Sequence, residues 1–117
     1  MPPTLFPRRP AESPQSASVL TEYQGESVVI RVCPPVDVDA CRELGAQLAA
    51  AEAGNAKSIL LDLDGVDGLD ARMLHEILRA SRRSAHNGGR LRVTRGNGHV
   101  SEIFRLTGLD QTINFND

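Results

Sequence analysis

Four carboxylates, Asp62, Asp64, Asp67 and Asp70, crowd into one short stretch and are the side chains with the most obvious chemistry. Carboxylate oxygens suit hard divalent cations. A calcium loop beginning at Asp62 would need a glutamate at its twelfth position, and Met73 stands there. Turn formation and helix capping account for these aspartates without a metal. His75, His86 and His99 are far apart, and none has a Cys or His at ligand spacing. Cys33 and Cys41 form no Cys-x-x-Cys pair and read as small core residues of a chain kept in a reducing cytoplasm. Arg95-Gly96-Asn97-Gly98 lacks the Lys-Ser/Thr ending of a phosphate-binding loop, so a tight strand-to-helix turn explains it. We expect no catalytic residue, no metal and no cofactor.

A second cluster is basic. Arg72, His75, Glu76, Arg79, Arg83 and His86 recur on one face of a helix, with Arg82 beside them. A solvated face is the plain reading, and a docking surface for an acidic partner is the functional one. The formal charge of the whole chain is -2 and the stripe holds no aromatic residue, which argues against nucleic acid.

These residues need elements to position them. Val19–Tyr23 reads as a short strand, Gln24-Gly25-Glu26 as a hairpin turn, and the β-branched run from Ser27 to Cys33 as a second strand. Pro34-Pro35 stops it, because proline cannot extend the ladder. Asp37 or Asp39 then caps a helix whose inner stripe is Val38, Cys41, Leu44, Leu48 and Ala51, ending at Gly54-Asn55. Ser58–Leu63 is a nearly continuous apolar run, as in a strand buried on both faces. Asp70 can cap the next helix, with Leu74, Ile77, Leu78, Ser81 and Ala85 inward, closed by Asn87-Gly88-Gly89. Arg90–Thr94 alternates as a strand. Residues 98–107 form a third helix with Val100, Ile103, Phe104 and Leu106 inward, Gly108 capping it, and Thr112–Phe115 a last short strand.

The order is β-β-α-β-α-β-α-β, an α/β fold with a mixed β-sheet and helices packed on it. The 117 residues suffice for one domain. Residues 1–17 hold five of the seven prolines and read as a flexible tail, leaving 18–117 as the domain. Aromatics are only 3%, so the core must be aliphatic. No apolar run is long enough for a membrane span, and none follows Arg8 and Arg9 as a secretory signal would require.

Read together, Val28–Val32 with Val36-Asp37, the segment Ile59–Asp70, Asn87-Gly88-Gly89-Arg90-Leu91 and Leu106-Thr107-Gly108-Leu109 resemble the STAS family of anti-sigma factor antagonists. Ile59–Asp70 is similar to that family's "LDLSGVxFIDSSGL" segment, and the resemblance covers residues 19–115. Two departures stand out. Pro34 takes the glycine position of the family's "G-x-L-D" helix start. The family's Asp-Ser-Ser/Thr-Gly-Leu reads Asp70-Ala71-Arg72-Met73-Leu74 here. In switchable members a partner kinase phosphorylates the serine that Ala71 replaces, so the resemblance implies binding without that switch. Arg72 sets a positive charge at the positive end of a helix, at a cost of about 0.3–1 kcal/mol unless Asp70 and Asp67 offset it. Met73 brings a flexible apolar side chain that would touch a partner.

The resemblance implies a non-enzymatic, cytoplasmic regulator that binds a kinase-type anti-sigma factor through Asp67, Asp70, Ala71, Arg72, Met73, His75, Glu76 and Arg79. The alternative it implies is a STAS subunit of a lipid-transport or stress-signalling scaffold complex. Asp62-Leu63-Asp64-Gly65-Val66 also resembles the first motif of haloacid-dehalogenase-type phosphatases, with Asp62 as nucleophile and Asp64 as acid/base on magnesium. That family starts with the motif and needs a later lysine and an acidic pair. Here Lys57, the sole lysine, precedes the motif and no acidic pair follows.

Overall fold

The computed structural model describes residues 18–54 and 56–116. The expected tail, residues 1–17, and Asn55 lie outside them. Strands β1 (Val19–Gln24) and β2 (Ser27–Val32) form the opening hairpin. Gln24 pairs with Ser27, which leaves Gly25 and Glu26 as a two-residue turn. Gly25 has φ +62°, a conformation that costs glycine no Cβ clash. Helix α1 (Val38–Ala53), strand β3 (Ser58–Asp62), helix α2 (Ala71–His86), strand β4 (Leu91–Val93) and helix α3 (Gly98–Thr107) follow. The sheet runs β1-β2-β3-β4, antiparallel at β1·β2 and parallel in the two remaining pairs. This is the mixed-sheet α/β fold expected, except at its end.

Register decides which face is core. Val28, Ile59 and Leu91 fall in one row, and Ile30, Leu61 and Val93 in the next, all buried. The opposite row, Val29, Leu60 and Arg92, is half-buried or exposed. β3 is therefore sealed on one face, where its apolar run suggested two. Asp62 on the outer face pairs with Arg31 of β2 at 3.1 Å.

Asp37, one of the two expected caps, accepts the Ala40 N–H at 2.8 Å and starts α1. Cys41, Leu44, Leu48 and Ala51 are buried as expected, but Val38 is 43% exposed. On α2 the buried stripe is Met73, Ile77, Ala80, Ser81 and Ser84. The expected stripe was rotated by about one residue and shares only Ile77 and Ser81 with it. Small Ala80 and Ser84 let the helix lie close to the sheet, and the Ser84 hydroxyl accepts the Leu91 N–H of β4 at 2.8 Å. Leu74 and Leu78 sit on the shoulder, half-buried, and Ala85 is exposed. On α3, Val100 and Phe104 are buried and Ile103 is half-buried, whereas Leu106 faces solvent.

The last expected strand is not one. After Gly108, in the left-handed conformation, Leu109–Gln111 winds into a 3-10 turn. Only a single bridge, Val93 to Phe115, remains beside β4. The Thr112 and Ile113 N–H groups both donate to the Leu109 carbonyl at 3.0 Å to close that turn, which withholds them from a ladder with β4, and Ile113 is buried. Phe115 packs edge-on against Phe104, with ring centroids 5.4 Å apart.

Two arginines bind the back of the fold. Arg83 of α2 donates to both Glu52 oxygens, at 2.9 and 3.1 Å. Arg90 donates to the Ala56 carbonyl at 2.6 Å and the Glu52 carbonyl at 3.1 Å, beside the C-terminal end of α1. That end has no basic residue in its own last turn.

Candidate functional site

Asp70 does what its position in the sequence suggests. Its Oδ1 accepts the Met73 N–H at 2.9 Å and begins α2. That backbone bond, assisted by the Arg72 charge, holds its carboxyl below the ordinary carboxylate value. Arg72 reaches back to the Asp70 Oδ2 at 3.4 Å, so its unfavourable place in the first turn is offset locally. The preceding loop is tied down from α3. The Asn97 amide donates to the Val66 carbonyl at 2.9 Å while its own oxygen caps α3 through the Val100 N–H. The His99 ring lies against Gly68.

A groove of about 570 Å³ opens between the N-terminal ends of α1 and α2. Val38, Cys41 and Ala71 supply apolar surface, and Arg42, Arg72, His75 and Glu76 supply charge or polarity. The expected residues Ala71, Arg72, His75 and Glu76 thus come together on it, and Asp70 anchors its edge. Asp67 and Arg79 are exposed but do not line it. Met73 requires a correction: it is fully buried and points into the core, so it cannot meet a docked partner. The i, i+4 relation to Ile77 sets it on the inner stripe, which outweighs its place in the loop motif.

Val38, Cys41 and Arg42 were missed. Apolar spacing alone places the first two wholly on the inner stripe of α1. Val38 is the first residue after the cap, and its exposure was the feature that periodicity alone hid. Cys41 lies at the groove with little of its surface exposed. Burial first, then the nearby Asp70 charge, pushes its thiol above the ordinary value, so it stays protonated at neutral pH. Glu76 is accommodated by Gly45 of α1, where a Cβ would stand 2.9 Å from its Oε1.

The phosphatase arrangement is not assembled at Asp62. Its Oδ1 accepts the Asp64 N–H at 2.9 Å in a turn, and its Oδ2 pairs with Arg31. Among the described residues no His, Cys, Asp and Glu side chains gather as a metal site. Among the same residues no helix is long and apolar enough to cross a membrane. What the groove offers chemically is apolar area ringed by charge, which suits contact with another macromolecule better than covalent chemistry.

Comparison with known proteins agrees with this architecture. The family described as "Mlab, STAS domain" matches residues 19–114. Among solved structures, a putative anti-sigma factor antagonist from Thermotoga maritima is 17% identical, with a TM-score of 0.70 and 88% of this chain and 89% of that one covered. The anti-sigma factor antagonist SpoIIAA in its unphosphorylated form is 21% identical, with a TM-score of 0.69 and coverage of 85% and 88%. An anti-sigma factor antagonist from Mycobacterium paratuberculosis is 19% identical, with a TM-score of 0.67 and 85% of each chain covered. No curated protein matches the chain.

Proposed function

Because the chain belongs to the STAS domain family, we propose that it is a non-enzymatic regulator of the anti-sigma factor antagonist type, acting in the cytoplasm. It binds a kinase-type anti-sigma factor on the groove between the starts of α1 and α2. The observation that carries this reading is the groove itself, with exposed Val38 and Ala71 framed by Arg42, Arg72, His75 and Glu76. No Ser or Thr occurs from Val66 to Arg79, so a kinase has no hydroxyl to modify on the loop or the first turns of α2. A phosphate there would add about -1.5 to -2 charges at the docking surface. This chain escapes that form of release.

The test is a titration of the full chain with purified candidate anti-sigma kinases, with and without ATP. The expected result is a complex that ATP leaves intact, with the mass of the chain unchanged. Val38→Asp should weaken it at least about tenfold, or ~1.4 kcal/mol. A phosphate on residues 66–79, or a complex indifferent to Val38→Asp, would overturn the proposal. The second reading is a STAS subunit of a lipid-transport or stress-signalling complex. Ala71 favours it equally, since such a subunit needs a docking surface and no loop hydroxyl. An ATPase transporter subunit or scaffold homologue binding the same groove, in place of the kinase, would select it.

A further inference from the structure

The edge of the sheet at β1 carries information that the groove does not use. Ser18 and Cys33 are joined by a backbone bond, Cys33 N–H to Ser18 carbonyl, at 2.7 Å. Bonded and non-bonded pairs alternate along an antiparallel ladder. Residues 18, 20, 22 and 24 therefore turn their backbone groups toward β2, and Val19, Thr21 and Tyr23 turn theirs outward. Among the described residues nothing pairs with that outer edge, because β1 is the last strand of the sheet. Proteins blunt free edges with proline, lysine, bulges or very short strands. β1 has six residues, paired without interruption to β2, contains neither proline nor lysine, and carries one charge, Glu22. Tyr23 is 62% exposed and Leu20 is 48% exposed.

We propose that β1 joins two copies of this chain edge to edge, as antiparallel strands related by a two-fold axis at Thr21. Three nearby registers are available, and charge and length choose among them. Centring on Glu22 sets two carboxylates directly opposite each other, which is repulsive. Centring on Leu20 carries Tyr23 beyond the other copy's β1. Centring on Thr21 pairs Thr21 with Thr21, and Val19 with Tyr23 twice. The outward N–H and C=O groups of these residues then make six backbone bonds. Threonine pairs and aromatic–β-branched pairs are favourable cross-strand neighbours. Glu22 then faces Leu20 of the other copy, not a second carboxylate. The helix shoulder above the edge is low: Gln47 bonds Thr21 at 2.9 Å, and Ala50, one turn further, is small and exposed. The result is one continuous eight-stranded sheet.

Hydrogen exchange on the full chain tests this directly. The amides of Val19, Thr21 and Tyr23 should slow as protein concentration rises, while those of Leu20, Glu22 and Gln24 stay slow throughout. Sedimentation should report twice the chain mass at the concentration where the three amides slow. Thr21→Pro removes an outward N–H, together with the hydroxyl bond to Gln47, and should return the mass to one chain with the circular dichroism spectrum kept. Tyr23→Lys, at an exposed site, should do the same if the proline variant fails to fold. A single-chain mass at every concentration overturns the proposal. So does a dimer that survives Tyr23→Lys, or protection of the three amides that does not vary with concentration, which would assign the edge to another segment of the same chain.

Discussion

Removing the Asp70 carboxylate, as in Asp70→Ala, should cost about 1 kcal/mol, because the Met73 N–H loses its acceptor at the start of α2. The same side chain sets a pH dependence. Its carboxyl is held below the ordinary value of 3.8, first by the Met73 N–H and then by Arg72. As pH falls, the unfolded chain takes up this proton before the folded one does. The contribution is therefore complete well above pH 3.8 and is lost as pH falls through the lowered value. Asp70→Asn keeps an acceptor but removes the charge, so it should retain most of the cap and flatten this part of the acid limb. Urea melts at neutral and acid pH check both variants. At this scale the sequence was readable where the interaction is local. Asp70 and Asp37 cap their helices by accepting N–H groups three residues ahead of them. Met73 was misread because its burial depends on which side of α2 meets the sheet, a fact no neighbour in sequence records.

Helix α2 shows why elements are easier to find than to orient. Its range and its charged face were legible from the spacing of Arg72, His75, Glu76, Arg79, Arg83 and His86. Its buried stripe was not, because size outweighed hydrophobicity: Ala80 and Ser84 lie against the sheet and Leu78 does not. The choice leaves a mark. Among the described residues, the Ser81 hydroxyl is buried without a hydrogen-bond partner. Ser81→Ala should accordingly raise stability by about 1 kcal/mol, through helix propensity and the removal of an unpaired polar atom. Chemical denaturation midpoints measure it, and a loss of stability would mean that the hydroxyl has a partner in solution. The final segment failed for a different reason. Thr112–Phe115 has strand composition, but the 3-10 turn after Gly108 leaves it only one bridge to β4. Composition cannot report that the preceding turn claims the Thr112 and Ile113 amides.

For the whole molecule, the order of strands and helices was legible because each crossover in a parallel sheet has one favoured hand. The groove was only half legible. Its α2 side came from a local motif, while Val38, Cys41 and Arg42 arrive from residues some thirty positions earlier, brought there by packing. Long-range links of this kind also bear on how the chain reaches its native state. Arg90 closes the carbonyl end of α1 across more than thirty residues, by bonds to Ala56 and Glu52. Until β4 docks, that end of α1 has no cation of its own to complete it. Its last turn is thus expected to consolidate after the rate-limiting barrier, not before it. Arg90→Leu should leave the folding limb of a chevron plot almost unmoved and raise the unfolding limb, so that one arginine governs how long the protein stays folded and not how fast it gets there.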